Sequence, residues 1–247
     1  MEWRDEGIIL STRKYGEYDA ILEVLTRAHG RHSGLVKGGY GRRQRGNIQP
    51  GNEVMVSWRG RLESQLGTYS LELKRARVVS FLYHPAKLAA LNSCCSLLCV
   101  TMPENEIHEI ILDGFLVFLT SLEEAHKDKK YWAPLIVRWE LGLLNELGFG
   151  LNLENCVATG ITNDLVYVSP KSGRSVSKKA GEPYHDKLFR LPPFILGTTE
   201  NIKMQDIIDG LSLTEFFIER YVLNPSGKNI PQARSCLLYT SPSPRDS

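Results

Sequence analysis

The sequence predicts an α+β protein in which a small N-terminal β-barrel precedes a mainly α-helical domain. Three observations support this fold class. Short β-rich runs fill the first 80 residues, and apolar residues recur at helical spacing after Pro85. The charge also changes sign, because residues 1–80 hold 14 Lys or Arg against 9 Asp or Glu, whereas residues 81–247 hold 16 against 19. The basic first part points to an anionic partner.

Five β-rich runs alternate with Gly, Asn, Pro and charged turns in the first part of the chain. They are GIILSTR, AILEVLT, SGLVKGG, EVMVSW and LGTYSLELK, at residues 7–13, 20–26, 33–39, 53–58 and 66–74. Five short strands in this length suit a small barrel or sandwich, and the OB-fold is the natural five-stranded candidate. We therefore predict an OB-fold domain over residues 1–80.

The period of the apolar residues changes after Pro85. Apolar side chains lie three and four apart over residues 87–100, 107–125, 134–148 and 204–223, as they do in helices. Pro134 stands at the start of the third run and Gly148 at its end, which is the usual asymmetry of helix ends. A Gly- and Ser-containing segment, residues 156–181, interrupts the helices with loop or short strand. The sequence thus predicts a helical domain over residues 81–234.

The last residues have a different origin. CLLYTSPSPRD, residues 236–246, resembles the translation of a sequencing-library adapter. We expect residues 235–247 to be an adapter-derived artefact, with the natural sequence cut off near Arg234.

Composition favours a protein of the cytoplasm. The chain is 42% hydrophobic, which is enough to form real cores. No apolar run approaches the roughly 18 residues of a membrane span, so no membrane partner is expected. The start, MEWRDEG, lacks the order of a secretion signal. The five cysteines do not form the evenly spread framework of a disulfide-rich secreted protein, and reduced thiols fit a cytoplasmic address.

A basic, glycine-rich loop is the strongest functional signal. From Val24 to Asn52 the chain carries six Lys or Arg and no Asp or Glu. Lys and Arg neutralise phosphates while an aromatic ring stacks on a base, which is the sequence-tolerant way of binding single strands. The alternative is an ordinary solvated loop. The candidate contacts to nucleic acid are Lys37, Arg42, Arg43 and Arg45, with Tyr40 for stacking and with Arg31, Arg59 and Arg61 as possible extensions of the basic stripe.

Other residue patterns lack the identity or spacing that nucleotide, metal or catalytic sites require. GRRQRGNI has the glycine spacing of a nucleotide phosphate loop, but Asn47 and Ile48 replace the required Lys and Ser or Thr. Cys95 and Cys99 lie one helical turn apart in an apolar run, which favours core packing over a metal site. The six histidines form no recognised catalytic or metal motif. We expect no enzyme activity and no cofactor.

Several longer stretches resemble one known family. They are YGEYDAILEVLTRAHGRHSGLVKGG at residues 15–39, NIQPGN at 47–52, RWELGLLNELGFGLNLENCVATG at 138–160 and VSPKSGRSVS at 168–177. Together they are similar to the RecO family of bacterial recombination mediators, over nearly all of residues 3–234. The pairing of an N-terminal G-E-x-D strand motif with a downstream E-L-x-L-L-x-x-L-G helix is specific.

The resemblance implies a function as well as a fold. It implies an OB-fold with a helical domain, binding of single- and double-stranded DNA, and annealing of DNA strands at the nucleoid. It also implies recombinase loading onto strands coated by single-strand binding protein, with RecR and the acidic C-terminal tail of that protein as partners. An RNA-binding or ribosome-associated OB-fold protein is the alternative, because phosphate contacts carry no base information.

The resemblance also singles out residues in the helical domain. Some family members hold zinc with two C-x-x-C pairs, but here Thr159, Ser177 and Ala180 accompany Cys156 at those positions, so residues 156–181 are expected to be a degenerate, metal-free insertion. For the acidic tail we expect Arg138 to bind the terminal carboxylate at the rim of an apolar face that includes Trp139. The alternatives are that this face is entirely core and that Arg138 pairs with Glu140 or another acid.

Overall fold

A computed structural model describes residues 1–62, 65–126, 128–198 and 200–239. The described chain divides into two compact units. The first holds residues 1–119 and the segment that begins at Pro231, and the second holds residues 120–230. This division falls well after the end of the predicted strands at residue 80. Of the expected adapter-derived segment, residues 240–247 lie outside the described residues.

The first unit contains a closed five-stranded barrel, which confirms the predicted fold class. Its strands pair in the order β1-β2-β3-β5-β4, and β4 pairs with β1 to close the barrel. All neighbours are antiparallel except β3 and β5. The strands are β1 (Glu2–Tyr15), β2 (Asp19–Thr26), β3 (Gly30–Val36), β4 (Glu53–Arg59) and β5 (Gly67–Arg75).

Alternating side chains build the barrel core. In β4, Val54, Val56 and Trp58 point inward and are fully buried, while the residues between them are more exposed. The large Trp58 ring needs glycines beside it. A Cβ atom at Gly60 would lie 2.4 Å from that ring, and one at Gly67 would lie 2.2 Å from its Nε1 atom. The glycines that flank this end of the barrel therefore make room for its largest core residue.

Helices and a small sheet follow the barrel. The helices are α1 (Val78–Phe81), α2 (Pro85–Thr101), α3 (Glu109–Glu124), α4 (Lys129–Glu146), α5 (Lys178–Gly181), α6 (Met204–Ile218) and α7 (Gln232–Tyr239). The sheet has the order β7-β6-β8, from β6 (Leu165–Val168), β7 (Ser175–Ser177) and β8 (Phe189–Arg190). Within the first unit, α7 packs against α2. Among the described residues, no helix is both long and apolar enough to cross a membrane.

All four predicted helices are present, but the predicted start of α4 at Pro134 was wrong. The helix begins at Lys129, where the side chain of Asp128 accepts a hydrogen bond from the Lys130 backbone N–H. Pro134 lies inside the helix and lacks only the N–H that would bond the Lys130 carbonyl. A good cap therefore outweighs the proline as the start signal.

Candidate nucleic-acid interface

The basic loop between β3 and β4 is folded. The backbone N–H groups of Gln44 and Arg45 both donate to the Gly41 carbonyl at 3.1 Å. Those of Asn47 and Ile48 donate to the Gln44 carbonyl at 2.8 and 3.2 Å. Residues 41–48 thus form successive tight turns, in which each turn is closed by a hydrogen bond to the residue three or four before it.

Buried groups anchor the loop to the barrel. The Ile48 side chain is fully buried in the barrel core. The buried Asn52 side-chain amide donates to the carbonyls of Gly46 and Asn47, at 3.2 and 3.1 Å. The Thr12 hydroxyl on β1 donates to the Ile48 carbonyl. These bonds fix the loop before any ligand arrives, so less conformational entropy is lost on binding.

The loop cations are exposed and uncompensated. Lys37, Arg42, Arg43 and Arg45 all have exposed side chains. Within the part of the chain that the structure describes, none of them forms a salt bridge. Four positive charges without acidic partners form a ready site for phosphate groups.

Tyr40 does not point outward as a stacking residue would. Its ring is half-buried and packs against the barrel core, and its backbone N–H donates to the Tyr18 carbonyl at 2.9 Å. The exposed rings belong instead to Tyr15, the last residue of β1, and to Tyr18 in the turn that follows, with 54% and 60% of their surface exposed. Beside them, Arg13 and Lys14 are also exposed. Sequence reasoning missed these residues, although two tyrosines around a Gly turn were a visible signal.

The three possible extensions of the stripe differ from the loop cations. Arg59 and Arg61 are exposed, but Arg59 ends β4 and lies six residues, about 20 Å, from the loop end of that strand. The prediction that Arg31 contacts nucleic acid was wrong, because its side chain is buried. It forms ion pairs with Glu23 at 2.6 Å and Glu104 at 3.4 Å and donates to the Met102 carbonyl. This guanidinium joins β3 to the neighbouring segment of its unit and is not free for phosphate.

A separate pocket in the second unit contains Arg138. The cavity has a volume of about 670 Å³. Arg138 is exposed, and its Nη2 atom donates to the Phe194 carbonyl at 2.8 Å. Three cations and several apolar side chains meet among the described residues that line this pocket, and Lys130 is paired with Asp128 at 3.3 Å. The lining residues are Lys130, Tyr131, Pro134, Leu135, Arg138, Asn201, Ile202 and Lys203.

The neighbours of Arg138 on α4 are core residues. Trp139 is only 9% exposed, so its ring supports the helix from inside and cannot offer a binding face. Glu140 is fully buried and accepts a hydrogen bond from the Thr214 hydroxyl. The alternative in which Arg138 pairs with Glu140 is therefore wrong. The apolar face of α4 is largely core, and the exposed pocket lies beside it.

The sulfur of Cys156 accepts hydrogen bonds from neighbouring groups. It is buried, and the Ser177 backbone N–H donates to its sulfur at 3.2 Å. Burial raises the pKa of the Cys156 thiol, but hydrogen bonds from Ser177, Thr159 and the Ala158 backbone outweigh burial and bring the pKa down to about 6. Among the described residues, no group of three or more His, Cys, Asp or Glu is placed to hold a metal ion. The absence of zinc stays a prediction.

The cysteines of α2 are packing residues. Cys94 and Cys95 are buried, as the sequence predicts, and Cys99 is half-buried. Burial raises the pKa of Cys99 to about 12 and that of Cys95 further still, so both remain protonated thiols.

The barrel and the helical region define the class of protein, and the comparison with family models then identifies the family. A closed five-stranded barrel in this strand order, with helices after it, is an OB-fold protein with a helical C-terminal region. The family model "Recombination protein O N terminal" matches residues 1–77, and "Recombination protein O C terminal" matches residues 83–229. The chain belongs to the recombination protein O (RecO) family, as its sequence motifs indicate.

Relatives match along nearly the whole chain. The protein named DNA repair protein RecO from Rhodospirillum centenum is 45% identical over 237 residues, which is 95% of this chain and 92% of that protein. The protein of the same name from Methylocella silvestris is 43% identical over 240 residues, 96% of this chain and 95% of that protein. The one from Beijerinckia indica is 45% identical over 241 residues, 96% and 94% of the two chains.

Proposed function

We propose that this protein acts in DNA repair and recombination as a mediator that binds single- and double-stranded DNA. It anneals complementary strands and helps to load recombinase onto strands coated by single-strand binding protein. The observation that carries the proposal is the folded loop with four uncompensated cations on an OB-fold barrel, in a chain of the RecO family. Its work would be done by binding alone, at the nucleoid, without a cofactor.

The loop supplies the electrostatic part of this function. Two DNA strands repel each other through their phosphates, and bound Arg and Lys side chains release counterions and lower that repulsion. Because Ile48 and Asn52 anchor the loop turns, the backbone that carries the exposed cations is fixed before DNA binds. The exposed rings of Tyr15 and Tyr18 add faces on which bases stack without regard to sequence.

The pocket around Arg138 is the proposed site for the acidic tail of single-strand binding protein. A guanidinium at the pocket rim can bind a terminal carboxylate, and Lys203 attracts the other acidic residues of such a tail. Leu135 and Ile202 offer an apolar floor for its end. RecR is the further proposed partner.

A strand-annealing assay tests the proposal. Complementary DNA strands coated with single-strand binding protein are mixed with the protein, beside a matched pair of RNA strands. We expect faster annealing of the DNA pair, and a large loss of that activity when Arg42, Arg43 and Arg45 are all replaced by Ala. Acceleration of the RNA pair alone would favour the RNA-binding or ribosome-associated alternative. No acceleration of either pair would reject the proposed function.

A further inference from the structure

A stack of three aromatic rings runs from the core of the second unit to its surface. Phe217 is fully buried and lies parallel to Tyr221, with ring centroids 5.8 Å apart and planes 15° apart. Tyr221 lies parallel to Phe149 in turn, at 5.7 Å and 4°. Phe149 is 39% exposed. The outermost ring of the stack is thus at the surface, where a further flat ring can continue the series.

The backbone fixes Phe149 in this position. Helix α4 ends at Glu146, and Gly148, two residues later, has a φ of 85° in the left-handed region. The Phe149 N–H donates to the Leu144 carbonyl at 2.8 Å. Three residues later, Asn152 exchanges hydrogen bonds of 3.1 and 3.0 Å with Gly173 and Ser175 in the hairpin that joins β6 and β7. The ring is therefore held between a helix end and a hairpin, and its stacking face exists before a ligand binds.

Two cations lie beside the stack. The Arg220 guanidinium carbon lies 5.6 Å from the centre of the Tyr221 ring, and its Nη1 atom donates to the Pro170 carbonyl at 3.1 Å. That bond brings the tip of the hairpin, with the exposed Lys171, next to Arg220. Neither cation has a salt bridge among the described residues. Glu146 lies three residues before Phe149 and Glu219 directly precedes Arg220, so the argument depends on the ring and on the two cations and not on net charge.

We propose that Phe149, Arg220 and Lys171 form a second contact for a single strand of nucleic acid, separate from the barrel loop. A base stacks on the free face of Phe149, and the phosphates on either side of it reach Arg220 and Lys171. An exposed, preorganised ring flanked by cations is the pattern that binds single strands without sequence preference. The inference rests on the proposed function, since a protein that anneals two strands has use for two places to hold them.

Photochemical cross-linking with the full chain tests this inference. A single-stranded DNA that contains 5-iodouracil is bound and irradiated, and the modified peptides are identified by mass spectrometry, because this base cross-links to aromatic rings on which it stacks. We expect cross-links in the peptide that contains Phe149. They should persist in Phe149→Tyr, which keeps a ring, and disappear in Phe149→Leu, which keeps an apolar side chain of similar size.

Binding measurements give a second readout. In a protein whose barrel loop carries Arg42→Ala, Arg43→Ala and Arg45→Ala, the remaining affinity for single-stranded DNA should fall roughly 5- to 150-fold on adding Phe149→Leu, as for loss of one stacked base. Lys171→Ala removes a charge at an exposed hairpin tip and cannot disturb the core. It should lower the slope of log affinity against log salt by about 0.7.

The outcomes separate this inference from the proposed function. Cross-links in the barrel unit but none at Phe149, or unchanged affinity in both Phe149→Leu and Lys171→Ala, would overturn the second contact and leave the barrel site standing. No cross-link anywhere, with no measurable binding of single strands, would reject both.

Discussion

The backbone N–H of Tyr40 donates a 2.9 Å hydrogen bond to the carbonyl of Tyr18. This bond joins the basic loop to the turn between β1 and β2, and a second bond, of 2.7 Å from the Gly38 N–H to Asp19 Oδ1, supports it. The loop cations and the exposed rings of Tyr15 and Tyr18 are therefore held on one connected surface of the barrel. Different residues supply the charge and the rings on this surface, so mutations can test electrostatic attraction and base stacking separately.

Removal of three loop cations should weaken binding and its dependence on salt. We expect the combined change of Arg42, Arg43 and Arg45 to Ala to lower the salt slope for single-stranded DNA by roughly 2, at about 0.7 per lost phosphate contact. Fluorescence anisotropy across a salt series measures it. Replacing the exposed Lys178, Lys179 and Lys187 by Ala removes the same charge elsewhere and serves as the control. An equal effect of the two triple changes would contradict a local site.

The turn tyrosines should contribute through their rings. Tyr18→Leu is expected to cost about 1–3 kcal/mol of binding free energy for single-stranded DNA, with little effect on folding, because the side chain is 60% exposed. Tyr18→Phe keeps the ring and should bind like the unchanged protein. Titrations at constant salt measure the difference. Equal affinities of the Leu and Phe variants would exclude stacking on this residue.

Gly67 should be intolerant of any side chain. A Cβ atom there would lie 2.2 Å from Trp58 Nε1 and 2.6 Å from the Arg59 carbonyl oxygen, so the barrel would have to shift. We expect Gly67→Ala to lower the free energy of unfolding by roughly 1–3 kcal/mol. The matched control is Gly114→Ala in α3, where a Cβ meets open space and helix propensity predicts a gain of up to about 1 kcal/mol. Urea denaturation distinguishes the two, and equal stabilities would refute the packing argument.

Arg138 should act on the acidic tail and not on DNA. Arg138→Ala is expected to weaken the affinity for a peptide of the acidic tail of single-strand binding protein by about 1.5–3 kcal/mol, as for loss of a hydrogen bond to a charged group. Arg138→Lys keeps the charge without the forked geometry, so it should recover only part of the loss. Calorimetry with the peptide and a DNA titration are run on each variant. Unaltered peptide binding would remove Arg138 from the site.

The Cys156 thiol should make stability depend on pH. Its pKa falls from an ordinary value near 9 to about 6 in the folded chain, so the thiolate is the favoured form there. A depressed pKa contributes stability that is fully present above pH 9 and is lost as the pH falls towards 6. Between these values the free energy of unfolding should rise less steeply in Cys156→Ala than in the unchanged protein. Parallel curves in denaturation at several pH values would contradict the low pKa.

The barrel and the helices could be predicted because their signals are local. Alternation in β4 and helical spacing in α2, α3, α4 and α6 appear within single stretches of the chain. The position of Arg31 could not be predicted in this way, because Met102 and Glu104, which meet its guanidinium, lie some 70 residues away. Tyr40 was misjudged for a related reason. The chain turns towards the barrel core at that residue, and only long-range packing decides where its ring goes.

The two stretches that make up the first unit have a consequence for how the chain is made. A ribosome delivers the barrel early, but residues 231–234 emerge only after all of residues 120–230. Of these last residues, Pro231 lines a cavity with Cys95 and Cys99 of α2, and Arg234 is fully buried. At about 5–20 residues per second, that interval lasts roughly 5–20 s. During this interval, the part of the α2 surface that these last residues cover is exposed on the nascent chain. The inserted unit can therefore fold before the first unit is complete.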